Sequence, residues 1–147
     1  MGELKGLFNN RILMVSVLAW FIAQALKVIL TLLKEKKVDF TRLIGSGGMP
    51  SSHSAFVVSL ATSVGITHGW DSTYFAISAV FTLIVMYDAA GVRRATGKQA
   101  MILNKIISEL HRHKEIKHER LKELIGHTPI EVFAGALLGI LISYLFI

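Results

Sequence analysis

The chain has 147 residues, of which 52% are hydrophobic and 18% charged, with a formal net charge of +6 and no cysteine. The missing cysteine excludes disulfides, thiolate metal sites and cysteine nucleophiles. This length suits one domain over residues 1–147, and a mean hydropathy of +0.54 is too high for an ordinary soluble domain of this size. We therefore expect an integral membrane protein, whose positive charge indicates anionic lipid or a phosphorylated substrate before nucleic acid.

Four apolar stretches have the length that crosses a bilayer, roughly 20 residues each. The first is too long for a signal peptide, and no small-residue cleavage pattern follows it. The sequence therefore predicts an all-α bundle of about four transmembrane helices, with approximate bounds 11–33, 50–68, 72–92 and 128–147.

The first span contains one charged side chain, Lys27, with Gln24 one turn earlier. A lysine within an apolar span is expensive and indicates a functional site. The alternative is snorkelling, because Lys27 is near the basic connection that starts at Lys34. The position alone does not decide between the two interpretations.

The connection to the second span ends in Gly-Gly-Met-Pro-Ser-Ser-His-Ser, residues 47–54. Pro50 can open a helix, because the first-turn amide that proline lacks has no partner there. Ser51 and Ser52 would then lie at a helix N-terminus, where free amides and the helix dipole favour an anion. His53 can exchange a proton near neutral pH. The stretch suits a phosphate, although an ordinary helix cap beside a chance histidine would have the same residues.

The third span ends in Asp-Ala-Ala-Gly-Val-Arg-Arg, residues 88–94, whose small residues would let helices pack closely. Beyond it, apolar residues at helical spacing between Ile102 and Leu110 are followed by a charged stretch. Residues 95–126 are therefore predicted to form an amphipathic helical insertion outside the bilayer or on its surface. No metal site is predicted there, since its three histidines have no complete ligand set: His111, His113 and His118.

The basic residues are distributed unequally between the two ends of the predicted bundle. Four spans place residues 34–48 and 95–126 on one face, which together with Arg93 and Arg94 has 13 of the 16 Lys and Arg residues. The positive-inside rule then places that face in the cytoplasm and both termini outside.

Polar residues that can act on a phosphate gather at the predicted cytoplasmic ends of the spans. His127 and Glu131 are four apart, on one face of a helix, where the carboxylate can hold one imidazole tautomer. Two histidines with fixed cations form a phosphoryl-transfer set, in which one ring attacks phosphorus and the other protonates the leaving oxygen. The set consists of Lys27, Lys34, Ser51, Ser52, His53, Asp88, Arg93, Arg94, His127 and Glu131.

The motifs resemble those of the type 2 phosphatidic acid phosphatase superfamily, in its short divergent branch related to the vanadium haloperoxidases. The first family motif, Lys, six residues, Arg-Pro, is matched by Lys27 and Lys34-Glu35, without the arginine and proline. The second, Pro-Ser-Gly-His, is matched by Pro50-Ser51-Ser52-His53, with serine for glycine. The end of the third, His, three residues, Asp, is matched by His127 and Glu131, and its arginine by Arg93 or Arg94 ahead of the insertion.

The resemblance implies a role for each matched position. His127 would be the nucleophile that forms a phosphohistidine, His53 the general acid, and Glu131 the group that orients His127. Phosphate would be held without a metal or cofactor by Lys27, Lys34, Ser51, Ser52, Arg93 and Arg94, with Asp88 in support.

Two functions from different classes follow from this resemblance. The first is a membrane phosphatase that hydrolyses phosphatidylglycerophosphate, phosphatidate or a prenyl phosphate or diphosphate at the cytoplasmic leaflet. The alternative is a scaffold that binds a lipid headgroup without turnover, which would not need the His127–Glu131 pair. Nucleic acid is not expected as a partner, because the insertion interleaves acids with bases and has no aromatic platform. A small four-span bundle leaves room for a homodimer.

Overall fold

The computed structural model describes residues 6–35, 48–110 and 126–147, and within these ranges the chain is helical without a β-strand. Helix α1 spans Arg11–Glu35, α2 spans Ser52–His68 and α3 spans Thr73–Tyr87. A π-helical turn, Asp88–Val92, joins α3 to α4, Arg93–Leu110, and α5 spans Pro129–Phe146.

Helix α2 is the centre of the bundle and packs against α1, α3 and α5. Eleven of its 17 residues are buried, and most of these are serine, alanine, threonine or glycine. Small residues let helix backbones approach closely, which is how helices associate in lipid. The outward faces carry the large apolar side chains instead, among them Phe21, Leu83 and Phe133.

Two glycines of α5 bring that helix against the backbone of α2. A Cβ on Gly135 would overlap the carbonyl oxygen of Ser51, and a Cβ on Gly139 would lie 2.6 Å from that of Ala55. Further along this contact, Ser143 Oγ donates to the Ser59 carbonyl at 3.0 Å and accepts from Ser63 Oγ at 3.1 Å. Hydrogen bonds between helices satisfy these buried hydroxyls where lipid cannot.

Three stretches of the described chain are long and apolar enough to cross a membrane by length and composition: Arg11–Leu33, Thr73–Ser108 and Pro129–Phe146. They correspond to the first, third and fourth predicted spans. The second predicted span is α2, whose 17 residues measure about 26 Å at 1.5 Å per residue. The other helices cover most of its surface, so four crossings remain a prediction.

Helix α2 begins at Ser52, two residues after Pro50. The expectation that Pro50 opens the helix is wrong, because Ser51 is the N-cap and its hydroxyl accepts from the Ser54 amide. Pro50 precedes the cap and is buried, and its peptide bond with Met49 is cis.

The third predicted span corresponds to α3, and the helical chain does not stop at its expected end near residue 92. It continues from α3 through the π turn into α4. The continuous stretch Thr73–Ser108 has 36 residues and is about 54 Å long at 1.5 Å per residue. A hydrocarbon core of about 30 Å cannot contain that length, which supports a position of α4 beyond it. Residues 111–125 of the predicted insertion, with His111, His113 and His118, lie outside the described residues.

Substitution of Gly135 tests the close contact between α2 and α5. A methyl group there would press on the Ser51 carbonyl, and overpacking of this kind costs about 1–3 kcal/mol. We expect Gly135→Ala to lower the unfolding temperature in detergent. In the control, Gly91→Ala, the new Cβ would meet only Tyr87 at 4.0 Å, and no loss is expected. Equal unfolding temperatures for the two variants would contradict the packing described here.

Candidate active site

The start of α5 fixes the position of Glu131. Thr128 is the N-cap of this helix and Pro129 its first residue. The Thr128 hydroxyl accepts from the Glu131 amide at 3.3 Å, and Glu131 Oε2 accepts from the Thr128 amide at 3.1 Å. This reciprocal pair is a capping box, which satisfies two amides that the helix itself cannot.

The same carboxylate oxygen holds the ring of His127. Nδ1 of His127 lies 3.0 Å from Glu131 Oε2. The expectation that the two residues share a helix face is wrong, because His127 precedes the Thr128 N-cap, and the carboxylate reaches the ring from the capping box. His127 is 1% exposed, and its backbone amide donates to the Ala89 carbonyl at 2.9 Å. Nε2 is buried and has no hydrogen-bond partner in the part of the chain that the structure describes. With the proton of the neutral ring on Nδ1, the lone pair of Nε2 is available to an electrophile.

The pKa of His127, which precedes the α5 span, is lowered from its ordinary value. Burial is the main cause, because it disfavours the charged imidazolium. The hydrogen bond and charge of Glu131 act in the opposite direction, and the positive charges of Lys27 and Arg93 lower the pKa further. The net shift keeps the ring neutral at neutral pH, the form in which Nε2 can attack.

His53 faces His127 from the first turn of α2. The two ring centroids are 5.8 Å apart and the ring planes meet at 63°. Nδ1 of His53 is also buried without a partner among the described residues. Two rings at this separation can contact one phosphoryl group from two sides, which in-line displacement requires.

The segment before α2 is tied to the start of α5. The Ser51 amide donates to the Glu131 carbonyl at 2.9 Å, so a backbone hydrogen bond joins the two motif segments. The Ser51 hydroxyl is fully buried and accepts from the Ser54 amide at 3.3 Å and from its hydroxyl at 3.1 Å. Ser51 therefore caps the helix, while helix geometry leaves the amides of Ser52 and His53 without partners inside α2. Such amides suit an anion.

Lys27 belongs to the interior of the bundle. It is 1% exposed, and a Cβ on Gly48 would lie 3.2 Å from Lys27 Cγ, so the lysine stem packs against the glycine backbone. Gly48 has φ +91°, a conformation that side chains rarely adopt. This burial favours the functional interpretation of Lys27 over snorkelling.

Of the other predicted phosphate-binding cations, only Arg93 has a side chain that the structure describes. Arg93 Nε donates to Asp88 Oδ2 at 2.6 Å across the π turn, and the two side chains are 44% and 41% exposed. Exposed pairs of this kind contribute little to stability, so the contact chiefly directs the guanidinium. Arg94 lies in the first turn of α4 and Lys34 in the last turn of α1, and their side chains are outside the described part.

Two features of the site were not identified from the sequence. The π turn lies beside His127 and supplies the Ala89 carbonyl that fixes its backbone; within Asp88–Val92, only the small residues indicated a close approach. The contact of Gly48 with Lys27 is the second: the sequence indicated only a glycine-rich connection, whereas Gly48 is the surface on which Lys27 packs. The structure thus brings together His53, His127, Glu131, Lys27 and the Ser51–Ser52 helix start.

Comparison with known proteins agrees with these motifs. A family model described as the Divergent PAP2 family matches residues 8–142. The chain is 43% identical over 148 residues to the uncharacterized membrane protein YuiD of Bacillus subtilis (strain 168), which covers 93% of this chain and 94% of the relative. No solved structure matches. The chain belongs to the Divergent PAP2 family.

Proposed function

We propose that the protein is a membrane phosphatase that hydrolyses a lipid phosphate through a phosphohistidine on His127. The observation that carries the proposal is the state of the His127 ring. Nδ1 is held by Glu131, while Nε2 is buried without a partner among the described residues, and the ring lies 5.8 Å from that of His53, centroid to centroid. An imidazole oriented by a carboxylate is the arrangement of an activated base or nucleophile.

The reaction has two displacements at phosphorus. In the first, His127 Nε2 forms a bond to phosphorus as the bond to the leaving oxygen breaks, and His53 gives that oxygen a proton. In the second, a water molecule attacks the phosphohistidine and returns a proton to His53, which releases phosphate and free His127. The imidazolium that forms on phosphorylation is stabilised by Glu131.

Fixed positive charge stabilises the oxygens of the transferred group. Lys27 supplies a buried ammonium, and Arg93 a guanidinium at the edge of the site. The amides of the Ser51–Ser52 helix start can bind a further oxygen, as helix N-termini do. Lys34 and Arg94 are proposed for the same task on the motif match, with Asp88 directing Arg93. Donors already in place cost no reorganisation when charge spreads in the transition state.

Phosphatidylglycerophosphate, phosphatidate and prenyl phosphates or diphosphates are the candidate substrates at this stage. A headgroup-binding scaffold remains the second candidate, because the buried Lys27 and the helix start would serve it equally. The His127–Glu131 pair favours the enzyme, since an anion binder gains nothing from a neutral ring with a free lone pair. We also propose four crossings, with the site at the cytoplasmic leaflet and both termini outside.

Substitution of His127 and substitution of His53 should affect turnover in different ways. His127→Ala should abolish turnover and any trapped phosphoenzyme, and His53→Ala should slow turnover roughly 10²–10⁴-fold, the usual contribution of a general acid. An aryl phosphate with an acidic phenol needs no proton on departure, so it should partly rescue His53→Ala but not His127→Ala. Glu131→Gln should fall between them, because the ring remains but its tautomer is no longer enforced.

Phosphate release by purified protein, with acid quench for the phosphoenzyme, measures these outcomes. Wild-type turnover in His127→Ala would end the phosphohistidine mechanism, and equal rescue of both variants would mean that the assigned roles are wrong. Vanadate binding by a protein that releases phosphate from no ester would favour the scaffold.

Substitution of Glu131 and substitution of Lys27 should move the pKa of His127 in opposite directions. Glu131→Gln removes a charge and a hydrogen bond that raise the pKa, so the ring should lose its proton at a lower pH than in the wild type. Lys27→Met removes a charge that lowers the pKa, so the same titration should move to higher pH. Carbon-13 NMR of labelled histidine in detergent, assigned with His127→Ala, reads the ring directly. Shifts in the same direction would contradict the described electrostatics.

The absence of cysteine makes the proposed orientation simple to test. A cysteine at Lys114 should react with an impermeant reagent only after the cell is opened, because the basic connections face the cytoplasm. A cysteine beside Ile147 should react in intact cells. The reverse pattern would place the candidate site outside.

A further inference from the structure

An apolar groove of about 390 Å³ lies between α1 and α2, on the His53 side of the site. It is lined by Val17 and Trp20 of α1 and by Phe56 and His53 of α2. Phe56 follows His53 by three residues, so both rings lie on one face of α2. The volume falls within the usual range for small-molecule sites, about 300–1,000 Å³.

The lining restricts what the groove can hold. Among the lining residues that the structure describes, Val17 and Phe56 are hydrocarbon, and the only polar atoms of the side chains are the ring nitrogens of Trp20 and His53. A charged or hydroxyl-rich group would lose its hydration there for few new hydrogen bonds, which costs free energy. A hydrocarbon chain loses nothing of that kind and gains packing contacts with Trp20 and Phe56.

His53 connects this groove to the phosphate site. Its ring forms part of the groove wall and also lies 5.8 Å from the His127 ring, centroid to centroid. In the proposed reaction His53 protonates the leaving oxygen, so that oxygen must contact His53. The group attached to the oxygen then extends away from His127, and the groove is the apolar space that adjoins His53.

We infer that the groove binds the leaving alcohol of the substrate and that this alcohol is hydrocarbon from its first carbons. The inference rests on the proposed function and selects among its substrates. Esters of long-chain, prenyl-type alcohols fit the lining throughout. Phosphatidylglycerophosphate does not, because its leaving oxygen belongs to a polar glycerol headgroup, and phosphatidate brings two ester groups close to the reacting oxygen.

A substrate panel tests the selection. Purified protein should release phosphate from a prenyl phosphate with a higher kcat/KM than from phosphatidate or phosphatidylglycerophosphate in the same detergent. A short aryl phosphate reports on the histidine chemistry without a chain. Preference for either glycerolipid would overturn the inference while leaving the phosphatase proposal intact.

Substitutions in the groove test whether the hydrocarbon chain binds there. Trp20→Ala should lower the ratio of prenyl to aryl phosphate kcat/KM by about tenfold or more, within the range for lost apolar pocket contacts. Phe21 is the matched control, since it touches the Trp20 ring but is 59% exposed and outside the groove. Phe21→Ala should leave the ratio unchanged. An equal fall in both variants would mean that general packing of α1, and not the groove, sets the preference.

A second variant decides the matter if Trp20→Ala does not fold. Val17→Trp should fill the groove and shift the preference toward shorter chains, whereas Ala25→Trp, on the exposed face of α1, should not. Unchanged chain-length preference in Val17→Trp would overturn the inference.

A readout without turnover separates the two proposals. A prenyl phosphonate with a photoreactive group on its chain should label the α1–α2 groove, and mass spectrometry locates the label. Labelling of the groove in a protein that releases no phosphate would retain the binding site and end the phosphatase proposal. Labelling elsewhere, in a protein that hydrolyses the aryl phosphate, would retain the phosphatase proposal and end the assignment of the groove.

Discussion

The candidate site depends on one carboxylate, that of Glu131. A single oxygen accepts from the Thr128 amide, which closes the capping box of α5, and contacts Nδ1 of His127. The position of the imidazole is therefore fixed by the same contact that begins the helix. Loss of the carboxylate would release the ring and open the helix end together, so orientation of His127 cannot be separated from local folding.

Close packing of α5 against α2 also fixes the position of the second histidine, His53, relative to Glu131. The Glu131 carbonyl accepts from the Ser51 amide, and Gly135, one turn later, lies on the Ser51 carbonyl. Ser51 in turn caps α2, whose second residue is His53. The path from His127 to His53 thus consists of a capping box, a backbone hydrogen bond, a glycine contact and a second cap. Glu131 supplies the one long side chain of this path, and its carboxylate is held by both the Thr128 amide and the His127 ring. The other contacts use backbone atoms and the short Ser51 hydroxyl, which suits a site that must hold two rings at a set separation.

Residue patterns predicted much of this architecture, and the reasons differ between features. The His127–Glu131 contact was expected from helical spacing, but His127 precedes the N-cap of α5, so the two residues do not share a helix face. The contact forms because the capping box holds the Glu131 carboxylate at the helix N-terminus, next to His127. The helix start at Ser51–Ser52 follows from capping chemistry, although Pro50 misplaced its first residue. The π turn could not be predicted, because nothing in Asp-Ala-Ala-Gly-Val distinguishes a five-residue turn from a regular one. The groove could not be predicted either, since Val17 and Trp20 meet Phe56 only after α1 packs on α2.

The burial of His127 and the position of the groove together suggest how a substrate would lie in the candidate site. His127 is buried, and its Nε2 has no partner among the described residues. In the proposed in-line reaction the leaving oxygen would lie opposite Nε2, on the side of His53, which borders the α1–α2 groove. On this proposal, an alcohol that departs past His53 would enter hydrocarbon surroundings, while the phosphate would stay among Lys27, Arg93 and the helix start. The two products would then separate by polarity, because the proposed acid lies between a cationic pocket and an apolar groove.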